Sequence, residues 1–271
     1  MKNILKITIA IIVLIITQAF TYDEGPQYDS AKTKGVIDKM LKAHGGYEKW
    51  LNAPSFSYGL TMYMPGIPLG NGITEYDRWR LGKFQFEPKT SKGSGWIQFQ
   101  NATIVFDGKE SWGTNYKTDK MRMPPFMRMF YHYGFINLPF LTQSNGTKLG
   151  NLSKGKLPND TKEYITVEMT FEPKGRAHKG KFVLYIDPDT NLLKATKHNA
   201  SVPEFPGVTL PDMNEGMELI RIMDGYIKVD GFTIPDRYST ITPDGKLMGM
   251  HIVIEPSFEH LFDSSKLKKT K

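Results

Sequence analysis

Short apolar segments that alternate with turn residues run through most of this chain, and they constrain its fold more than any other feature. The segments are rich in β-branched and aromatic residues, which favour strands. Asp107-Gly108, Asp230-Gly231 and Asp244-Gly245 favour the tight turns of β-hairpins. Successive hairpins are typical of an antiparallel meander, so the sequence predicts a mainly β protein. The predicted strands are Ser55–Tyr63, Ile73–Leu81, Lys83–Glu87, Gly95–Gln100, Thr103–Phe106, Glu110–Tyr116, Tyr164–Phe171, Lys181–Ile186, Leu192–His198, Glu218–Asp224, Tyr226–Val229, Asp236–Ile241 and Leu247–Ile254.

One helix is predicted before the first of these strands. Ser30 can cap its first turn, and Gly45-Gly46 can end it. Trp50, in the short turn that follows, is expected to pack on the sheet. The apolar side chains recur at helical spacing and form one face. They are Val36, Ile37, Met40, Leu41 and His44.

The stretch Met121–Leu141 interrupts the meander. It contains four of the 14 Met residues and no acidic residue. Pro124-Pro125 can open a helix and Gly134 can end it, but about nine residues are too few for a helix that is stable alone. The stretch is therefore either an ordinary part of the core or a lid over an apolar cavity, and we favour the lid. A polar loop, Thr142 to Thr161, is predicted to follow it.

A second, Pro-rich insertion runs from Ser201 to Gly216, and the composition does not shift anywhere enough to mark a second domain. Residues 1–19 have the pattern of a signal peptide: Lys2 and Lys6, the apolar run Ile7 to Ile16, and small residues at a cleavage site after Ala19. An uncleaved membrane anchor is the alternative. We expect residues 20–271 to form a single domain exported to the periplasm or cell envelope of a Gram-negative bacterium.

The sequence contains no Cys, which excludes disulfides, thiolate metal sites and a lipid-modified Cys. The six His residues show no metal-ligand spacing, and neither a nucleophile elbow nor a phosphate-binding loop is present. The segment Asp187 to Asn191 superficially resembles a calcium loop, but Leu192 stands where Gly is required. Carboxylates such as Glu75 and Asp77 alternate as on a solvated strand face. The sequence thus predicts no catalytic, metal or cofactor site and no nucleic-acid partner, and it leaves enzymatic activity open.

Several segments together resemble the LolA/LolB-like lipoprotein-carrier superfamily. They are His44-Gly45-Gly46 followed by Trp50, the hairpin Ile104 to Trp112, the turn Leu184 to Lys194 with Asn191 in place of the usual Gly, the closing hairpins from Tyr226, and Leu261-Phe262-Asp263. The resemblance implies a single curved antiparallel sheet that forms an incomplete barrel, with an N-terminal helix and a helical lid over its apolar concave face. In the carriers this cavity holds the acyl chains of a lipoprotein. The Arg that latches the helices of the carriers cannot be placed on a residue of this chain.

These observations favour a non-catalytic, monomeric envelope protein that binds a lipid or an acylated molecule. A buried C16 chain contributes on the order of 10 kcal/mol before ordering costs, so binding needs little specific polar chemistry. The residues expected to line the cavity are Met121, Met123, Phe126, Met127, Phe130, Tyr131, Phe135 and Leu138 from the lid, Phe205, Met213 and Met217 from the second insertion, and Trp79 and Trp96 from the sheet.

Three other functions stay open at this stage. In an enzyme such as a hydrolase, carboxylates or His132 and Tyr133 would line the cavity. In a module that docks on a membrane or an envelope partner, Lys120, Arg122 and Arg128 would face anionic lipid. In a purely structural arrangement, the stretch Met121–Leu141 is simply core and holds no ligand.

Overall fold

A computed structural model describes residues 25–63, 82–86, 94–99, 102–107, 110–116, 136–171, 181–199 and 218–268. The predicted signal peptide, the predicted strand Ile73–Leu81, most of the stretch Met121–Leu141 and the second insertion lie outside these residues.

The strands among these described residues form a single sheet of 13 strands. Its spatial order is β1-β7-β8-β9-β10-β11-β12-β13-β2-β3-β4-β5-β6, so the sheet is open and not closed into a barrel. This confirms the predicted mainly β fold with one large sheet. The strands are β1 Gln27–Tyr28, β2 Phe56–Tyr63, β3 Gly82–Phe86, β4 Gly95–Phe99, β5 Ala102–Phe106, β6 Ser111–Thr114, β7 Thr147–Gly155, β8 Tyr164–Phe171, β9 Lys181–Ile186, β10 Leu193–Asn199, β11 Glu218–Val229, β12 Phe232–Ile241 and β13 Leu247–Ser257.

The sequence predicts an antiparallel sheet, but one pair of strands is parallel. β1 pairs in parallel with β7, with Gln27 opposite Lys148. Asp29 extends this contact, because its backbone N–H donates to Leu149 O at 3.0 Å and its Oδ2 accepts from Asn151 N at 2.8 Å. The other strand pairs are antiparallel.

The predicted polar loop from Thr142 to Thr161 is wrong, because β7 lies within it. Only Thr147 and Leu149 of this strand are buried, and most of its other side chains are polar. A bulge between Gly150 and Ser153 further interrupts its pairing with β8. The strand therefore lacks the apolar alternation from which strands are predicted. The sequence also predicts two strands, Glu218–Asp224 and Tyr226–Val229, where the structure has the single strand β11. A bulge at Gly225 lets this strand continue through both segments.

The N-terminal helix α1 spans Ala31–Ala43. Ser30 caps it as predicted, since its Oγ accepts from Thr33 N at 3.1 Å. Gly46 N donates to Leu41 O at 2.8 Å and closes the last turn. A shorter helix, α2, spans Tyr47–Leu51, residues 136–141 are also helical, and a 3-10 helix spans Ser264–Leu267.

We call the side of the sheet on which α1 packs the inner face. Ile37 and Met40 of α1 are fully buried in one apolar cluster with strand residues such as Val167, Leu184 and Tyr58. A smaller cluster on the outer face contains Tyr164, Tyr185 and Ile220. No helix among the described residues is long and apolar enough to cross a membrane.

Candidate ligand-binding face

His44 fixes the end of α1 to two strands of the sheet. Its Nδ1–H donates to Thr233 O at 2.7 Å, and its Nε2 accepts from the backbone N–H of Leu193 at 3.0 Å. The ring is therefore neutral with the proton on Nδ1. Burial lowers the pKa of His44 from 6.5 to about 4, and the hydrogen bond to Thr233 offsets this only in part. The first residue of the His-Gly-Gly pattern is thus a structural contact between α1, β10 and β12.

Gly45 and Trp50 complete this docking. Gly45 has φ +114, and a Cβ there would lie 2.7 Å from Phe232 Cδ1, so the position requires Gly. The indole Nε1 of Trp50 donates to Asn137 Oδ1 at 2.9 Å. Its ring stacks on Phe140 at 5.1 Å between centroids. Trp50 was expected to pack on the sheet; it is buried in the inner-face cluster, where it joins α2 to the helical segment 136–141.

Aromatic rings continue from Phe140 into the sheet and form what we call the aromatic column. Phe140 contacts Phe232 edge-on at 6.1 Å, Phe232 stacks on Phe258 at 4.0 Å, and Phe258 stacks on Phe56 at 4.4 Å. Phe56 then stacks on Tyr58 at 4.9 Å. One end of the inner face, where β12 and β2 begin, is therefore closed by packed rings.

A polar group of side chains lies at the other end of the inner face, where β10 and β12 end. Thr196, Arg221 and Thr240 are direct cross-strand neighbours on β10, β11 and β12. Directly opposed residues project from the same side of a sheet. Tyr238 and His251 form the next cross-strand pair. We call these five residues the Arg221 cluster, and each is at least nine-tenths buried.

The guanidinium of Arg221 is held in a defined orientation. Its Nε donates to Thr240 Oγ1 at 3.3 Å, and its Cζ lies 5.0 Å from the ring centroid of Tyr238. The Tyr238 ring in turn stacks on His251 at 4.6 Å, with 14° between the planes. Arg221 makes further contacts beyond these. Because the two rings stack face to face, the Tyr238 hydroxyl does not point at a ring nitrogen of His251.

The local electrostatics keep His251 neutral. Burial, and then the positive charge of Arg221, lower the pKa of His251 well below its usual 6.5. Burial, with a smaller contribution from Tyr238, raises the pKa of Tyr58 well above its usual value. The guanidinium itself stays protonated in proteins. The Arg221 cluster thus combines a guanidinium with a buried imidazole that is neutral.

The second predicted insertion is joined to the sheet next to this cluster. β2, β8 and β10 end at the same end of the sheet, and β11 starts there. The connection from β10 to β11 contains Phe205, Met213 and Met217, and its two ends are attached to the sheet three residues from Thr196 and Arg221. Among the described residues, no group of three or more His, Asp or Glu side chains could hold a metal ion.

Two of the predicted cavity residues can be placed. Leu138 is buried in the inner-face cluster, on the segment that Trp50 contacts. Trp96 lies on the opposite side of β4 from the buried Ile97, half-buried, with Lys266 Nζ 5.9 Å from its ring centroid. The others lie outside the described residues: Met121, Met123, Phe126, Met127, Phe130, Tyr131, Phe135, Trp79, Phe205, Met213 and Met217.

Sequence reasoning missed the Arg221 cluster. Its one detectable signal is the position of Arg221, a charged residue inside the otherwise apolar run from Leu219 to Met223. Strand pairing then brings residues from four strands together, which no local pattern reveals.

No protein-family model matches the sequence, and no curated protein matches it. Among solved structures, the fold is similar to that of a DUF1329 family protein from Desulfovibrio piger, at 9% identity and TM-score 0.53, over 88% of this chain and 98% of that chain. The likeness is one of fold. Together with the open, mainly antiparallel sheet and its N-terminal helix, it agrees with the LolA/LolB-like fold expected from the sequence.

Two further solved structures align at lower TM-scores. A LolA superfamily protein from Nitrosomonas europaea has 10% identity and TM-score 0.46, over 87% of this chain and 97% of that chain. MucB has 9% identity and TM-score 0.33, over 90% of this chain and 64% of that chain.

Proposed function

We propose that this protein binds a hydrophobic ligand, a lipid or the acyl chain of a lipoprotein, on the inner face of its open sheet. The observation that carries the proposal is the size of this face relative to the described helices. Thirteen strands at ~4.8 Å spacing make a sheet roughly 60 Å across. The 13 residues of α1 form a rod roughly 20 Å long and 10 Å wide.

The two helices and the segment 136–141 therefore cover a minor part of the inner face. An apolar sheet face must be covered, because exposed apolar area of that extent is unfavourable in water. We propose that the long connections and a ligand together complete the cover. The part of this face opposite the packed aromatic column, next to the Arg221 cluster, is where we place the ligand.

The proposal includes the setting of the protein. The signal-peptide pattern of residues 1–19 supports export to the periplasm or envelope, and a monomer is sufficient for a ligand held within one sheet. An envelope partner that delivers or receives the ligand fits the same function. The proposed binding residues are those predicted from the sequence except Trp96, which lies on the outer face; Leu138 is the member that is buried in the inner-face cluster.

Native mass spectrometry of protein purified from its own envelope, followed by solvent extraction, tests this function. We expect a co-purifying lipid and saturable binding of a fluorescent C16 probe by the delipidated protein. Absence of any extractable lipid together with no probe binding would leave the face as ordinary core and overturn the proposal.

A further inference from the structure

A row of side chains on the outer face crosses the sheet next to its β6 edge. The row consists of Gln85, Trp96, Val105 and Trp112, which are direct cross-strand neighbours on β3, β4, β5 and β6. Directly opposed residues project from the same side of a sheet. Val105 is buried, whereas both Trp side chains are half-buried. Two indoles are therefore only partly covered on the face that points away from the proposed ligand.

The C-terminal segment lies across this row. Its 3-10 helix contacts β4 and β5, and Lys266 Nζ lies 5.9 Å from the ring centroid of Trp96. Before the helix, Gln85 Nε2 donates to Leu261 O at 2.8 Å, and Gln85 Oε1 accepts from Asp263 N at 2.9 Å. The backbone of the segment is thus fixed to the sheet, so its outward side chains are held in place.

Leu261 is the most exposed large apolar side chain in the described part of the chain. It is 84% exposed, against 37% for both Leu247 and Met248. A single exposed Leu is ordinary on a protein surface. The backbone O of this one, however, is fixed by the buried Gln85. A partner that removed the Leu261 side chain from water would therefore bind more tightly, at little cost in chain ordering.

The same segment is cationic. From Glu259 to Lys271 the sequence contains four Lys and two acidic residues, a net charge of +2. One of the acids, Asp263, uses its carboxylate to cap the 3-10 helix. The strands β4, β5 and β6 beneath the segment contain no charged residue. Lys266 and Lys268 thus place positive charge beside the two indoles.

We propose that this part of the outer face docks on the surface of an anionic lipid bilayer. Leu261 and the edges of Trp96 and Trp112 enter the headgroup region, and Lys266 and Lys268 contact lipid phosphates. Trp and Lys suit this boundary because each combines an apolar body with a polar end. Lys beside Trp and Leu is the usual composition of segments that lie in a membrane interface. The inference is independent of the proposed function, since the ligand lies on the opposite side of the sheet.

Co-sedimentation with lipid vesicles tests the docking. Protein purified from its own envelope and delipidated is mixed with vesicles of phosphatidylcholine, either alone or with about 30% phosphatidylglycerol. We expect binding to the anionic vesicles to be about tenfold stronger or more. Most of this difference should disappear at about 500 mM NaCl, because salt screens exposed charges.

Variants at exposed positions locate the contact. Lys266→Gln/Lys268→Gln should weaken binding to the anionic vesicles about tenfold and leave binding to the neutral ones unchanged. Lys148→Gln/Lys154→Gln is the matched control: it removes the same charge from exposed positions on β7, near the opposite edge of the sheet. It should change either binding by less than about twofold. Leu261→Ser should weaken binding to both kinds of vesicle about fivefold or more.

Equal binding of the wild-type protein to the two kinds of vesicle, or no binding to either, would overturn the inference. An equal loss in the two double Lys variants would mean that net charge, and not this surface, attracts the vesicles, and would overturn it too. Binding that none of the variants alters would place the contact elsewhere, with the same consequence. Failure of the C16 probe to bind while vesicle docking persists would overturn only the proposed function.

Discussion

The Nε2 of His44 accepts a hydrogen bond from the backbone N–H of Leu193 at 3.0 Å, so a neutral imidazole joins helix α1 to strand β10. Protonation of the ring would turn this acceptor into a donor and place two N–H groups against each other. The attachment of α1 to the sheet therefore depends on pH.

We predict that the free energy of unfolding falls as the pH is lowered from about 6.5 toward 4. The unfolded chain takes up a proton near pH 6.5, whereas in the folded chain the pKa of His44 is about 4. The contribution of His44 is fully present above pH 6.5 and is lost as the pH falls through this window, by at most ~3 kcal/mol. Urea unfolding at pH 7.5, 6.5, 5.5 and 5 measures this change in the free energy of unfolding.

His251 acts in the same direction, because its pKa is also lowered. The variant His44→Gln separates the two, since only the His44 part of the pH dependence disappears. An identical pH dependence in wild type and variant would show that the pKa of His44 is the same in the folded and the unfolded chain.

A second prediction concerns the turn after α1. Gly45→Ala should destabilise the fold by about 2–3 kcal/mol, because it combines backbone strain at φ +114 with a Cβ 2.7 Å from Phe232 Cδ1. Gly35→Ala is the matched control: nothing lies within 4 Å of its Cβ position in α1. It should stabilise by roughly 0.5–1 kcal/mol. Chemical denaturation compares the two, and equal effects would mean that Gly45 is not constrained.

A third prediction concerns Gln85, which ties the C-terminal segment to the outer face. Its Nε2 donates to Leu261 O at 2.8 Å and to Ser55 Oγ at 3.1 Å, and its Oε1 accepts from Asp263 N at 2.9 Å. Gln85→Leu leaves these groups unsatisfied, at a loss of about 2–3 kcal/mol.

Release of this segment should accelerate tryptic cleavage at Lys266 and Lys268. Gln98→Leu, a half-buried position on the adjacent strand β4, serves as the control for an altered strand side chain. If limited proteolysis proceeds at the same rate in all three proteins, the Gln85 contacts do not hold the segment.

A fourth prediction addresses the proposed lid. The double variant Phe126→Ala/Phe130→Ala should weaken binding of a C16 probe by tenfold or more. Each replacement of Phe by Ala removes apolar contact worth on the order of 2 kcal/mol. Leu261→Ala, where the side chain is 84% exposed, should not change the affinity. Unaltered binding by the double variant would place the ligand away from these residues.

Local patterns account for the parts of the fold that were predicted. The bounds of Tyr164–Phe171 and Lys181–Ile186 match β8 and β9, because β-branched and aromatic residues are frequent in both segments. The Ser30 cap and the apolar spacing in α1 likewise act within a few residues of each other.

The parts that escaped prediction depend on distant partners. β7 is polar and is held by pairing with β1 and β8, and β1 has only two residues. The side chains around Arg221 belong to strands whose order follows from the whole sheet. The lid and most of the predicted cavity residues stay predictions.

The parallel pairing of β1 has a further consequence for the protein in a crowded compartment. An uncovered strand edge presents free N–H and C=O groups on which another chain can add as a strand and aggregate. Gln27–Tyr28 and Asp29 occupy that position along β7, and the opposite edge, β6, is a strand of only four residues. The open sheet is thus protected at one edge by the chain's own N-terminal segment and at the other by the shortness of β6. Loss of the residues before α1 would therefore expose the edge of β7 and allow the protein to self-associate.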